Sequence, residues 1–172
     1  MSNFSLTVLI EINGVMTKVG SITGTDYKDA VFAYDESYIA EKNHRAISIA
    51  LPVSDKPFSA KSTRNYFEGL LPEGFTRKCI TDSMHSEPDD YISILRELGR
   101  ECLGAIQIVD ESVQCIEADY KELSKKEVKA LAEEGASLAA NLVIQSHLSL
   151  TGASGKTGLY YDDKKKKWYQ PV

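Results

Sequence analysis

The hydrophobic pattern alternates at the start of the chain and becomes helical in its middle. Leu6-Thr7-Val8-Leu9-Ile10-Glu11-Ile12 is apolar and β-branched, Asn13-Gly14 follows, and apolar positions resume from Val15 to Ile22. Asn-Gly tolerates the positive φ angles of a tight two-residue turn, so this stretch predicts a β-hairpin. Val31-Phe32-Ala33-Tyr34 and Ala46-Ile47-Ser48-Ile49-Ala50-Leu51 read as two further strands, the second ended by Pro52, which has no N–H for a sheet ladder. From Ser62 onward Tyr66, Phe67, Leu70 and Leu71 recur at helical spacing and stop at Pro72, and Gly74 to Met84 reads as a second helix. Pro88 suits the first turn of a third helix, with Tyr91, Ile92, Leu95 and Leu98 on one face and Gly99 as its end.

Gly104 to Val109 then reads as a strand, and Ser124-Lys125-Lys126-Glu127 has the form of a capping box opening a helix that stops at Gly135. The stretch from Ala136 to Ser146 is ambiguous. Beyond it the chain reads as strand (Ser146–Leu150), small-residue loop (Thr151–Gly155), strand (Thr157–Tyr161), lysine-rich turn (Lys164–Lys167) and strand (Trp168–Pro171). The expected fold is therefore α+β: a small antiparallel sheet with several helices, followed by a β-hairpin-like segment. Residues 1–135 and 136–172 form the two expected parts.

Composition narrows the class. Of 172 residues, 42% are hydrophobic and 26% charged, which fits a soluble globular chain and argues against disorder or a membrane protein. Twenty Lys and Arg against 25 Asp and Glu give a net charge of -5, the wrong sign for a dedicated nucleic-acid binder, so direct nucleic-acid contact is not expected. No apolar run spans a bilayer and the first residues lack a signal peptide, so a cytoplasmic location is expected. Cys79, Cys102 and Cys115 match neither a disulfide framework nor zinc spacing and are expected to be reduced.

Ser149-Leu150-Thr151-Gly152-Ala153-Ser154-Gly155-Lys156-Thr157 is the one segment with the composition of a phosphate cradle: residues without bulk, then a lysine and hydroxyls. It lacks the first glycine of a P-loop, because position 150 is leucine, and the following Gly158-Leu159-Tyr160-Tyr161 favours extended structure over the helix a P-loop requires. A kinase-type lid between two strands and a plain glycine-containing hairpin turn both fit. His44, His85 and His147 show no metal-ligand spacing and read as surface or capping residues, and no metal site is expected. Asp89-Asp90 and Asp162-Asp163 read as a helix start and a turn, the lysine run as a solvated turn, and Trp168 as a packing residue.

Five segments in order resemble the HipA-type serine/threonine kinases, toxins of bacterial toxin–antitoxin pairs. They are Phe32-Ala33-Tyr34 with Tyr38, Ile47 to Pro52, Tyr66 to Gly74, Leu95 to Ala105, and Leu148 to Thr157 with Trp168 and Pro171. The resemblance implies a small N-terminal subdomain joined to the start of a protein-kinase-like N-lobe. It implies that Thr151, Gly152, Ala153, Ser154, Gly155 and Lys156 contact ATP and that Ser149 is the autophosphorylated serine. Thr151 and Ser154 replace a small apolar residue and a glutamine that are usual in the family. The resemblance also implies ATP and Mg²⁺ as cofactors of the full-length enzyme, a HipB-like helix-turn-helix antitoxin as partner, and a protein substrate whose identity it leaves open. The family's catalytic aspartate and metal ligands lie beyond residue 172. The chain is thus expected to be an N-terminal fragment, inactive and without bound nucleotide on its own. The alternative is a non-catalytic protein-binding module or the small subunit of a split kinase.

Overall fold

The computed structural model describes residues 3–99, 106–110, 120–134 and 158–171. Strands β1 (Phe4–Ile12) and β2 (Val15–Gly24) form the expected hairpin, with φ 52° at Asn13 and 79° at Gly14, both in the region the turn demands. Their antiparallel register runs from Ile12 opposite Val15 to Phe4 opposite Gly24 and shifts between Val8 and Leu9, whose partners are Gly20 and Lys18. Val19 is the extra residue of this bulge and is fully buried. The bulge reverses the parity of β2, because side chains alternate between faces along a strand. Ile22 and Val19 therefore both reach the core while Lys18, opposite Leu9, is turned away from it.

Strand β3 (Val31–Tyr34) pairs with β2 and strand β4 (Ile106–Val109) with β1, giving an antiparallel sheet in the order β3-β2-β1-β4. Both outer edges are blunted. Phe32 N–H donates to Thr63 Oγ1 at 2.9 Å and its carbonyl accepts from Phe58 N at 2.8 Å, while Ile108 N donates to Gly99 O at 2.7 Å. An open edge row would otherwise invite pairing with another chain. Gly99 has ordinary helical φ at -68°, so its small size matters here for another reason. A Cβ there would collide with Leu95 O and with Ile108.

Among the described residues four helices lie between β3 and β4: α1 (Glu36–Ile39), α2 (Ala60–Glu68), α3 (Gly74–Met84) and α4 (Tyr91–Leu98). Ser59 caps α2 by accepting from Ser62 N, and Asp90 caps α4 by accepting from Ser93 N. Pro88 stands ahead of that cap rather than in the helix, and its carbonyl accepts from Arg77 Nε at 2.9 Å. Helix α4 buries Tyr91, Ile92, Ile94, Leu95 and Leu98 in a core shared with Leu6, Val8 and Phe67.

The strand expected over Ala46–Leu51 is replaced by a turn with a single bridge between Ser48 and Leu51. Tyrosine hydroxyls occupy the backbone groups that a neighbouring strand would have paired. Tyr34 Oη donates to Leu51 O at 2.6 Å and accepts from Ile47 N at 2.9 Å, and Tyr66 Oη donates to Ile47 O at 3.2 Å. Tyr38 Oη donates to Arg45 O and accepts from Arg45 N. Leu51 is buried and Ile49 is fully exposed at the turn.

A second, three-stranded antiparallel sheet has the order β5-β7-β6, with β5 (Tyr120–Leu123), β6 (Tyr160–Asp162) and β7 (Lys167–Pro171). Helix α5 (Lys125–Glu134) follows β5 and opens with the expected capping box. Ser124 N donates to Glu127 Oε2 at 2.7 Å and Glu127 N donates to Ser124 Oγ at 3.2 Å. Asp162 accepts from Lys164 N and Lys165 N, forming the turn between β6 and β7. The strand expected over Ser146–Leu150 and the first residues of the one expected over Gly104–Val109 lie outside the described residues; β4 and β7 match the sequence reading, whereas β6 leaves out Gly158 and Leu159 of the strand expected over Thr157–Tyr161 and runs on to Asp162. The α+β class holds for both sheets. Among the described residues no helix is long and apolar enough to cross a membrane.

Leu71, Phe67, Leu95 and Ile106 are all buried. Leu71→Ala is expected to lower unfolding free energy by about 2–5 kcal/mol, through lost burial and the remaining cavity, measured by urea denaturation.

Candidate functional site

The segment with phosphate-cradle composition, Ser149 and Thr151 to Lys156, lies outside the described residues, as do Cys102, Cys115 and His147. The structure describes β6, which begins just after that segment, and the turn and β7 that follow. Asp162 and Asp163 sit at this turn, where Lys166 Nζ contacts Asp163 Oδ1 at 2.6 Å and Lys165 Nζ lies 3.7 Å from Asp162 Oδ2. Trp168 packs its ring 4.7 Å from Tyr161 while remaining partly exposed.

Elsewhere the polar side chains converge on Glu68, at the end of α2. Arg64, one turn earlier, donates from Nε to Glu68 Oε2 at 2.8 Å and from Nη2 to Oε1 at 3.3 Å. Arg77, in α3, brings Nη2 to 2.8 Å from Glu68 Oε1, an ion-pair contact not aligned as a hydrogen bond. Each arginine also reaches the segment before α4. Arg77 Nε binds Pro88 O, and Arg64 Nη2 lies 3.6 Å from Asp89 Oδ1. The Arg64 guanidinium sits 5.8 Å from the centre of the Tyr91 ring. Burial pushes the Tyr91 phenol up to about 12, and its hydroxyl has no hydrogen-bond partner among the described residues.

The hydrogen bond from Arg64 and then the charge of Arg77 hold the Glu68 carboxyl below the usual glutamate range. One carboxylate thus ties together α2, α3 and the start of α4. Beside it lies a cleft of about 410 Å³ lined by Asn65, Glu68, Gly69, Glu73, Gly74 and Arg77. Gly74 has φ 58°, a backbone conformation that glycine adopts without strain, at the sharp entry into α3. Along the cleft Arg77 pairs with Glu68, and Glu73 adds a second carboxylate. Among the described residues no group of three His, Cys, Asp or Glu side chains is placed to hold a metal ion. The arrangement is an electrostatic clamp between helices.

Sequence reading places Tyr66 to Gly74 in one motif but does not reveal this clamp. Arg64 and Glu68 have the i, i+4 spacing of a helical ion pair, whereas Arg77 lies across a helix break where periodicity carries no information. The described histidines have the expected modest roles: His44 Nδ1 lies 2.6 Å from Glu41 O, and His85 Nδ1 lies 3.1 Å from Ser83 O. Cys79 is a free, partly buried thiol.

Because folding lowers the pKa of Glu68, the stability it contributes is present above the unfolded value and lost as pH falls through the folded one. Glu68→Gln is expected to destabilise by about 1–3 kcal/mol at pH 7. The gap from the parent protein should narrow below about pH 4, followed by thermal melting across a pH series.

Among known proteins, the HipA N-terminal domain family matches residues 10–109, from the end of β1 through β4. The protein of Sinorhizobium fredii (strain NBRC 101917 / NGR234) called "Putative kinase Y4mE" is 34% identical over 100 residues, which are 58% of this chain and 24% of that protein. "Putative kinase Y4dM" of the same organism is 29% identical over 99 residues, 52% of this chain and 24% of that protein. An uncharacterized protein of Haemophilus influenzae (strain ATCC 51907 / DSM 11121 / KW20 / Rd) is 27% identical over 86 residues, 50% of this chain and 77% of that protein. The matched part spans about a quarter of the two Sinorhizobium proteins. With more than half of its residues matched, including β2, β3, β4 and the Glu68 clamp, the chain belongs to the HipA N-terminal domain family.

Proposed function

We propose that this chain is the N-terminal part of a HipA-type protein serine/threonine kinase toxin, with ATP-dependent phosphoryl transfer carried out by the full-length protein. The observation that carries this reading is one of order: a HipA N-terminal domain over residues 10–109 is followed by the Ser149 to Thr157 pattern. The donor set suits a nucleotide's phosphates, since small residues let backbone N–H groups approach and Lys156 supplies a cation. Thr151, Gly152, Ala153, Ser154, Gly155 and Lys156 would hold ATP with Mg²⁺, and the nucleotide would supply the transferred phosphoryl group. The catalytic aspartate and metal ligands would come from sequence beyond residue 172.

In this reading Ser149 is the regulatory position. A phosphoserine carries a charge of about -1.5 to -2, and beside a phosphate-binding loop it competes for the same donors and switches the enzyme off. The partner is a HipB-like helix-turn-helix antitoxin, and the setting is the cytoplasm.

A second reading is favoured by the Haemophilus relative, 77% of which is covered by the match, so that protein extends little beyond this domain. Under it, the domain is a protein-binding module or the small subunit of a split kinase. A reading frame continuing past Val172 into a kinase core supports the first reading, and a native stop there supports the second.

Incubation of the full-length protein with Mg-ATP, followed by mass spectrometry, is expected to find phosphate on the peptide containing Ser149. Phosphorylation confined to other residues would refute the switch. Gly152→Val should reduce activity by blocking backbone approach to the phosphates, and Ser149→Ala should abolish self-inactivation. The 172-residue chain alone is expected to show no kinase activity, and millimolar Mg-ATP should leave its melting temperature nearly unchanged.

A further inference from the structure

The second sheet has an outward face of unusual composition. Direct pairing puts Tyr160 opposite Tyr169, Tyr169 opposite Glu122 and Tyr120 opposite Pro171, so all three tyrosines lie on one face. The other face carries the buried Leu123 and Gln170 together with Tyr161 and Trp168, each 38% exposed, and on the tyrosine face Tyr169 is half-buried. Tyr120 and Tyr160 are each 54% exposed, and their ring centres lie 6.0 Å apart, the separation also found between Tyr160 and Tyr169. The solvated face of an antiparallel sheet is ordinarily polar. Here one aromatic ring comes from each of three strands.

Charge indicates what this face suits. Through residue 119 the chain has eleven Lys and Arg against nineteen Asp and Glu, whereas from Tyr120 onward it has nine against six. This stretch is net positive although the chain as a whole is negative, and at the β6–β7 turn four lysines stand against Asp162, Asp163 and Glu122. Four of those lysines, Lys164 to Lys167, lie at the end of the β6–β7 hairpin, two residues along the strands from the Tyr160–Tyr169 pair. Lys165, Lys166 and Lys167 meet Asp162, Asp163 and Glu122 in exposed ion pairs, and Lys164 has no ion pair among the described residues. Exposed pairs of this kind are weak enough for a competing anion to displace. Exposed aromatic rings beside a cationic rim form the surface on which single-stranded nucleic acids bind, the rings stacking on bases and the cations meeting phosphates.

We propose that the tyrosine face of the β5-β7-β6 sheet binds single-stranded nucleic acid, with bases on Tyr160 and Tyr169 and phosphates at the Lys164–Lys167 turn. The face is small and its charge excess is modest, so binding is non-specific and salt-sensitive, consistent with a net acidic chain. It requires no kinase activity and does not depend on the function proposed above.

The test uses the whole chain with fluorescein-labelled oligothymidylate and oligouridylate of about 15 nucleotides, followed by anisotropy. Saturable binding is expected near micromolar protein at about 50 mM salt, weakening as salt rises with a log–log slope of about -0.7 per phosphate neutralised. The double variant Tyr160→Ala/Tyr169→Ala should weaken it by roughly tenfold or more. Lys164→Glu/Lys165→Glu changes only the exposed turn and should weaken binding while leaving the circular dichroism unchanged, so it decides the matter if the aromatic variant fails to fold. Lys42→Glu, in the other part of the chain, should have little effect. Binding absent at roughly 100 μM protein would overturn the proposal. So would binding unaffected by the lysine variant, or binding fully displaced by Mg-ATP, which would place it at the Gly-rich segment.

Discussion

Phe32 is the point at which the larger sheet joins the helices covering it. Its ring is fully buried and packs 4.9 Å from Tyr34, 5.5 Å from Phe67 and 6.0 Å from Phe58, measured between centroids. Its backbone is committed on the same side, with the N–H on Thr63 of α2 and the carbonyl on the amide of Phe58. One residue of an edge strand therefore supplies apolar area to the core and closes the sheet edge against α2. Burial of the ring stabilises more than the two hydrogen bonds do, but the bonds fix where α2 must begin, since a buried amide left without a partner costs about 1–3 kcal/mol. Once α2 is placed, Glu68 at its end can gather Arg64 and Arg77, which ties α3 and the start of α4 to it.

The parts of this architecture legible in the sequence are those whose determinants are local. Asn13-Gly14 marks a turn because two adjacent residues must adopt positive φ, and Ser124 with Glu127 marks a helix start because the two reach each other within one turn. What escapes sequence reading depends on distant groups. Ile47 to Leu51 has the composition of a strand, yet its hydrogen bonds go to phenols contributed by Tyr34 and Tyr66, and no local pattern reports that. Tyr120 to Leu123 is too short to show an alternation and becomes a strand only through β7, more than forty residues later. The candidate site divides in the same way. The Ser149 to Thr157 composition is conspicuous in sequence but lies outside the described residues, whereas the Glu68 clamp is plain in the structure and joins residues on two sides of a helix break.

The two sheets make different use of aromatic residues. In the larger one Phe32, Phe67 and Tyr34 are inside, and the hydroxyl of Tyr34 reaches backbone groups of a loop. In the smaller one Tyr120 and Tyr160 present their rings to water, at an energetic disadvantage that burial would remove. The family match ends at residue 109, before β5, so the two sheets also differ in what relatives reveal about them.

The loop from Arg45 to Leu51 has little regular secondary structure, and its shape alone would suggest rapid local opening. Its amides indicate otherwise. Arg45 N–H and Ile47 N–H donate to the phenols of Tyr38 and Tyr34, and both rings belong to the core. Exchange of those hydrogens with solvent requires a phenol to let go, and the rings that carry them are packed against the sheet. The irregular segment and the core therefore form one cooperative unit, in which a turn exposed at Ile49 shares the persistence of the interior.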